Sequence, residues 1–301
     1  MKEFHGVYPA LITPLDDSDQ VNEGVVQDLV DWHLEAGVNG FYVAGGTGEG
    51  LLLSLQQRKD LTEAVMRATD GRATVIVHVG SVSTKAAVNL AQHANAVGAG
   101  AISAIPPIYY GVDPPSVVEH YSAIASATAL PLFVYHIPSA THSDMTIDLM
   151  TSLLEIPTVK GIKFSDYNHS LMRRICLLRS DLVVYSGNDD VFLSGLIMGA
   201  HGGIGLTYNF MPHLFVGIYR AFQSGDLARA RELQWKVCDM IDTLSDISSS
   251  NIAVAKVALR HLGFEVGEPQ RPIRPLTSRE TEITIGRLTE LGLDQRNLRL
   301  S

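Results

Sequence analysis

The chain is poor in cysteine and has no long apolar run. Its two cysteines, Cys176 and Cys238, lie far apart in 301 residues, which supports neither a disulfide framework nor a metal knuckle. The 11 histidines show no HExxH spacing and no carboxylate–histidine cluster, so a metal site is not expected. There is no Ser-His-Asp signature and no phosphate-binding P-loop. No GxGxxG follows the first apolar stretch, which argues against a dinucleotide-binding open sheet. No apolar run is long enough to span a bilayer, and Met1-Lys2-Glu3-Phe4-His5-Gly6 lacks the apolar core of a signal peptide. A reduced, soluble, cytoplasmic protein is expected. Basic runs are missing too, and the net charge is −9, so nucleic acid is not an expected partner. An anionic substrate would have to be met by local donors and not by the overall field.

Apolar residues make up 46% of the chain and charged residues 18%, the composition of a globular protein with a sizeable core. Short apolar runs alternate with amphipathic stretches. Strands are predicted over 7–12, 40–44, 74–79, 101–105, 132–136, 159–164, 182–185 and 203–206. Helices are predicted over 22–35, 55–68, 84–97, 116–127, 147–154, 171–179, 191–198 and 213–222. Strand–helix units with short connections, repeated eight times, are the pattern of a (β/α)₈ TIM barrel, so an α/β barrel is expected over residues 1–224. From residue 225 the pattern turns all-helical, with helices predicted over 226–244, 251–262 and 279–291, the last after a turn holding Pro269, Pro272 and Pro275. Residues 225–301 are expected to form a C-terminal helical extension packed on the barrel, one structural domain with it.

Barrels of this kind do their chemistry at the C-terminal ends of the strands, and the unusual residues collect there. The sixth strand, Val159-Lys160-Gly161-Ile162-Lys163-Phe164, holds two lysines. Side chains alternate along a strand, so Gly161 and Lys163 share one face, and Lys160 and Ile162 the other. Lys160 begins the strand, within reach of solvent. Lys163 lies near its end, where a lysine is rarely left unless it is paired or used. Burial favours the free amine that forms a Schiff base; the bland alternative is a lysine whose head snorkels to the surface. Ser165 shares the Lys163 face. After the second strand comes Gly45-Gly46-Thr47-Gly48-Glu49-Gly50. Its N–H groups, ahead of a helix start, can meet a carboxylate, or its glycines simply supply positive φ to a tight turn. Tyr109 and Tyr110 follow the fourth strand, where an aromatic pair also serves plain loop packing. Tyr135 ends the fifth, with His136 on the opposite face, although a strand tyrosine is ordinarily core. Gly187-Asn188-Asp189-Asp190 follows the seventh; adjacent carboxylates there serve polyol recognition or, more commonly, a helix N-cap.

Taken in order, Gly45-Gly46-Thr47-Gly48-Glu49, Tyr135-His136-Ile137-Pro138, Gly161-Ile162-Lys163 and Gly202-Gly203-Ile204-Gly205 resemble the N-acetylneuraminate lyase / dihydrodipicolinate synthase family, from about Gly6 to Leu276. The resemblance implies a class I aldolase-like barrel with a C-terminal helical extension, assembled as a homotetramer and working without metal or cofactor. It implies that Lys163 forms an imine with C2 of a 2-keto acid and that Tyr135 transfers the proton at the C4 hydroxyl. Thr47, with the backbone of Gly46, would bind the carboxylate, and Tyr110 would be lent to a neighbouring subunit's site. The sialic acid lyases are more similar than the synthases. The synthases carry an arginine two residues past the proline of the tyrosine segment, to hold a second carboxylate; here that residue is Ala140. Gly187, Asp189 and Asp190 fall where lyases grip the polyol tail, Ser165 on a hydroxyl position beside the lysine, and Gly205 in the last-strand part of the substrate-binding set. Two residues depart from the pattern. Gly46 stands where the family usually has Ser or Thr in a hydroxyl relay, and Leu206 where lyases often have Ser. Some family members that dehydrate keto-deoxy sugar acids do carry Gly-Gly-Thr-Gly-Glu. The expected activity is reversible cleavage of the sialic acid N-acetylneuraminate to pyruvate and N-acetylmannosamine. The alternatives are a lyase or dehydratase on another 2-keto-3-deoxy sugar acid, and a non-catalytic barrel that binds a keto acid.

Overall fold

The computed structural model describes residues 1–248 and 250–293; the end of the expected 225–301 extension lies outside the described residues. Each predicted strand forms: β1 (Gly6–Pro9), β2 (Gly40–Val43), β3 (Thr74–His78), β4 (Ala101–Ala104), β5 (Leu132–His136), β6 (Val159–Phe164), β7 (Val183–Ser186) and β8 (Gly202–Gly205). Their order is β1-β8-β7-β6-β5-β4-β3-β2, parallel throughout. The ring closes through one parallel bridge between Ala10 and Tyr42, where the Leu11 N–H donates to the Tyr42 carbonyl at 2.9 Å. The first strand is shorter than predicted. Pro9 ends it, because proline has no N–H to give the ladder.

The helices α1 (Glu23–Ala36), α2 (Leu55–Thr69), α3 (Thr84–Ala96), α4 (Pro114–Ser126), α5 (Pro138–Thr141), α6 (Ile147–Leu154), α7 (His169–Cys176), α8 (Phe192–Ile197) and α9 (Pro212–Gln223) follow the strands in turn. The all-helical end consists of α10 (Leu227–Ser245), α11 (Asn251–His261) and α12 (Ser278–Glu290). Local chemistry sets the boundaries. The Asn22 side chain accepts the Val25 N–H to start α1, which ends at Gly37 in the left-handed region at φ +91°. Two helices begin two residues before their predicted starts. Asp113 caps α4 with Pro114 at its first position, and Asn168 caps α7 by accepting the Leu171 N–H. The short α5 was not predicted; its four residues carry too little periodicity to read.

The sheet separates two apolar layers. Val7, Phe41, Val75, Ile102, Val134 and Ile162 face outward and pack under the helices. Tyr8, Tyr42, Ile76, Phe133, Val183 and Tyr185 fill the lumen. Small residues make room for these rings. A Cβ on Gly161 would lie 2.4 Å from the Phe133 ring, and one on Gly40 2.3 Å from the Tyr8 ring. The lumen is therefore a packed core, open for chemistry only at its mouth. A register shift between Leu132 and Phe133 sets β5 against β6 so that Tyr135 pairs with Lys163. Among the described residues no helix is long and apolar enough to cross a membrane.

Candidate active site

A cavity of about 370 Å³ opens at the C-terminal ends of the strands, within the size range of small-molecule sites. Seven of the ten site residues expected from sequence line it: Thr47, Tyr135, Lys163, Ser165, Gly187, Asp189 and Asp190. They come from the ends of β2, β5, β6 and β7, which strand alternation aims at a common mouth.

Lys163 forms the floor. It is 4% exposed, so it does not snorkel. Its Nζ lies 4.3 Å from the centre of the Tyr135 ring and 4.5 Å from that of Tyr42, within cation–π range. Among the described residues it has no ion pair and no hydrogen bond. The two flanking tyrosines are not equivalent. The Tyr42 hydroxyl donates to Ser103 Oγ at 3.1 Å, and burial, helped by neighbouring Tyr135, pushes its pKa well above the usual phenol value. Tyr42 therefore stays protonated and engaged. The Tyr135 hydroxyl has no such engagement among the described residues. Its ring is held edge-on by Tyr42 at 6.0 Å and His78 at 5.9 Å. His78 is neutral: burial first, then the charges of Arg58 and Lys163, drive its pKa down, and its Nδ1–H donates to the Ala44 carbonyl at 3.2 Å. His136 points away from this group, as alternation requires. It packs on the Phe164 ring at 4.9 Å and approaches Asp166 at 3.4 Å.

The glycine-rich loop departs from the positive-φ reading. None of its four glycines has positive φ; the left-handed residues are Ala44 at +57° and Glu49 at +58°. The glycines permit close approach instead. A Cβ on Gly45 would meet the Tyr42 ring at 2.5 Å, on Gly48 the Leu11 carbonyl at 2.9 Å, and on Gly50 the Ala44 carbonyl at 1.9 Å. Gly46 is the exception, with no atom within 4 Å of that position. The loop lies ahead of a helix start, as expected, but separated from it by four residues. α2 starts at Leu55, where it was expected, and its first turn is capped by Ser54 and Gln57. The N–H and hydroxyl of Thr47 carry no hydrogen bond among the described residues, so both are available to a carboxylate.

At the other side of the cavity, the Ser165 hydroxyl is buried without a partner among the described residues, a donor and acceptor that a ligand in the cavity can satisfy. Two predicted glycines act by leaving room. A Cβ on Gly187 would lie 2.0 Å from Ser165 Oγ, and one on Gly205 2.0 Å from Asp189 Oδ1. Asp189 does serve as a cap, but not of its own helix. Its Oδ2 accepts both the N–H and the hydroxyl of Thr207 at 2.7 Å, across the end of β8. Burial raises its pKa, against the pull of those two bonds and of the Lys163 charge. Asp190 Oδ2 accepts the Tyr167 hydroxyl at 2.9 Å; burial and that carboxylate push the Tyr167 pKa up to about 12. Tyr110 is not brought to this cavity. It is 75% exposed on the loop after β4, edge-on to Tyr109 at 5.0 Å.

Sequence reading missed the far wall. Ile241, Leu244, Ser245, Asn251 and Val254, from α10 and α11, line it with Leu206. It also missed Lys256 of α11. This fully buried lysine forms an ion pair with the equally buried Glu49 at 2.8 Å and donates to the Glu268 carbonyl at 2.8 Å. Glu49 also accepts the Gln270 N–H at 2.5 Å. The loop carrying Thr47 is thus bolted to the helical extension. Among the described residues no cluster of His, Cys, Asp and Glu could hold a metal ion.

The arrangement has clear relatives. The N-acetylneuraminate lyase of Rhizobium meliloti is 39% identical over 272 residues, covering 90% of each chain. The structure of a Ruminococcus gnavus sialic acid aldolase, a catalytic lysine mutant, superposes with a TM-score of 0.94 at 29% identity, covering 97% of each chain. The dihydrodipicolinate synthase of Aquifex aeolicus superposes with a TM-score of 0.91 at 28% identity, covering 97% of this chain and 99% of that one. Shape alone therefore does not separate lyase from synthase. The Dihydrodipicolinate synthetase family matches residues 3–289, and the chain belongs to that family.

Proposed function

We propose that this protein is a class I aldolase that cleaves N-acetylneuraminate reversibly to pyruvate and N-acetylmannosamine through an imine on Lys163. One observation carries the reading: a lysine held out of water between two tyrosine rings, with no ion pair and no hydrogen bond among the described residues, at the floor of a sugar-sized cavity. A buried lysine is normally paired, and among the described residues this one is not.

Lys163 Nζ adds to the C2 carbonyl of the open-chain sugar acid. Loss of water then gives the protonated imine, an electron sink. The proton of the C4 hydroxyl passes to Tyr135 as the C3–C4 bond breaks. The electron pair of that bond is held as an enamine, and C4 leaves as the aldehyde of N-acetylmannosamine. Protonation at C3 and addition of water to the imine release pyruvate and restore the amine. Thr47, with the Gly46 backbone, holds the carboxylate. Ser165, Asp189 and Asp190 bind hydroxyls of the tail, Gly187 and Gly205 leaving room for them. Ala140 offers no charge to a second carboxylate, which favours a lyase over a synthase.

Tyr109 and Tyr110, exposed together, suit contact with a second copy of the chain, and in a homotetramer Tyr110 would complete a neighbour's site. A cytoplasmic location fits a soluble sugar acid as substrate. A second reading, a lyase or dehydratase on another 2-keto-3-deoxy sugar acid, is favoured by two features: the open space at Gly46 and the apolar Leu206 on the cavity wall. The test is to mix the purified protein with N-acetylneuraminate, assay pyruvate, and reduce with borohydride. Pyruvate release with an adduct on Lys163 supports the proposal. Trapping of pyruvate without cleavage of N-acetylneuraminate moves the substrate to another sugar acid. No trapping at all overturns the imine chemistry.

A further inference from the structure

Asp189 and Asp190 stand on a three-residue 3₁₀ turn, Asp189–Val191, whose N-cap Asn188 makes no side-chain cap. So short a turn closes few hydrogen bonds of its own. What holds it is a side chain from α10. Gln234 is 7% exposed. Its Nε2 donates to the carbonyls of Asp189 at 3.1 Å and Asp190 at 3.0 Å, and its Oε1 accepts the Leu193 N–H at 2.9 Å. Cys238, one turn later, donates Sγ–H to the same Asp190 carbonyl at 3.2 Å. Gln234, Cys238, Ile241 and Ser245 are spaced by four, three and four residues, so they share one face of the helix. The first two grip the acidic turn, and the last two line the cavity. Leu233, Val237 and Met240 are buried beside them and seat the helix.

All three strong Gln234 contacts are to backbone, and they bracket the two carboxylates. The Asp189 side chain has a second anchor in Thr207. Among the described residues the Asp190 side chain has only Tyr167, a residue 66% exposed, so its aim follows the backbone.

We propose that Gln234 is a positioning residue for the tail of the substrate. It fixes the turn that presents Asp190, and through it sets the affinity for long, polyhydroxylated 2-keto acids over tail-less ones. The inference rests on the aldolase reading above. Gln234 touches neither the cavity nor Lys163.

The experiment compares Gln234→Met and Gln234→Glu with wild type. Met keeps the length and removes every bond. Glu keeps an acceptor for the Leu193 N–H but cannot donate to the two carbonyls, which guards against a simple folding failure. Two readouts are taken: kcat and KM for N-acetylneuraminate, and the concentration dependence of borohydride trapping of pyruvate, which has no tail. The expected result is a KM raised about 5- to 30-fold in both variants, the scale of one or two lost hydrogen bonds, with kcat and pyruvate trapping unchanged. An unchanged KM overturns the proposal. So does a parallel loss in pyruvate trapping, which would mark Gln234 as general scaffold, or a wild-type KM in the Glu variant, which would place the effect at Leu193. If the wild type itself traps no pyruvate, the aldolase reading falls and this inference with it.

Discussion

The floor of the cavity and its far wall are built by different means. The floor is strand-made: Tyr42, Tyr135 and Lys163 come from β2, β5 and β6, and a β-ladder fixes Tyr135 beside Lys163. The wall is made by docking: Ile241, Ser245 and Asn251 come from α10 and α11 and meet the barrel only through packing and a few polar joints. A floor set by hydrogen-bonded register leaves little room for a change in chemistry, because two of its three groups, Lys163 and Tyr135, are the ones proposed to act on reacting atoms. A wall set by docking can vary in chemistry while the floor is kept. Imine chemistry should therefore belong to the strands and substrate choice to the helices.

The largest effect should come from the floor. Lys163→Ala should abolish pyruvate release, with losses of the order of 10⁶ that accompany removal of a covalent nucleophile, while the far-ultraviolet spectrum and gel-filtration profile stay those of the wild type. Turnover near the wild-type rate would contradict the role given to Lys163. Tyr135→Phe should lower kcat by about 10²–10⁴, the scale of lost acid–base help, and should leave borohydride trapping of pyruvate in place. Tyr42→Phe should be milder, because that hydroxyl is engaged with Ser103. If Tyr42→Phe proved the more damaging, the two tyrosines would exchange roles.

How legible each region was in the sequence follows the same division. Strand alternation put Lys163 and Lys160 on opposite faces, and the end-of-strand rule gathered Thr47, Tyr135, Ser165 and Asp189 at one mouth. Those are properties of local geometry, which a sequence carries in its periodicity. Tyr42 was passed over, although a tyrosine in the middle of an otherwise apolar strand was a usable signal. Positive φ was one of two readings for the loop's glycines, whereas Gly45, Gly48 and Gly50 are close-approach glycines; the distinction depends on what lies opposite, which is tertiary. Gln234 and Lys256 sit in helices whose faces read as ordinary amphipathic surface. Nothing local says that one reaches the Asp190 carbonyl and the other Glu49, because their partners lie 44 and 207 positions away.

The joint between the regions can be broken directly. Lys256→Met leaves Glu49 buried without its counter-charge, and unpairing a buried ion costs about 3–5 kcal/mol. Denaturant unfolding should show that loss, and activity should fall as well, since the same loop carries Thr47. Adding Glu49→Gln to Lys256→Met removes the orphan charge and should recover part of the stability. If Lys256→Met alone were as stable as wild type, the pair would not be the bolt that the packing indicates.

The smallest effect separates wall from floor most cleanly. Leu206 lines the cavity at the end of β8 and packs in part against the core. Its backbone carbonyl accepts both the N–H and the side-chain amide of Asn209, so a change of side chain leaves the turn intact. Leu206→Ser removes some apolar packing and should lower stability by about 1 kcal/mol or more, as buried aliphatic truncations do. In return it sets a hydroxyl on the wall beside Asp189 and Thr207. One neutral hydrogen bond is worth about 0.5–1.5 kcal/mol, so KM for N-acetylneuraminate should fall about 2- to 10-fold with kcat unchanged. The sign distinguishes the two readings of the substrate. A lower KM means that a polyol tail lies along this wall and that Leu206 merely forgoes one contact to it. A higher KM means that Leu206 packs against an apolar part of a different sugar acid, and the wall, not the floor, then defines what this aldolase accepts.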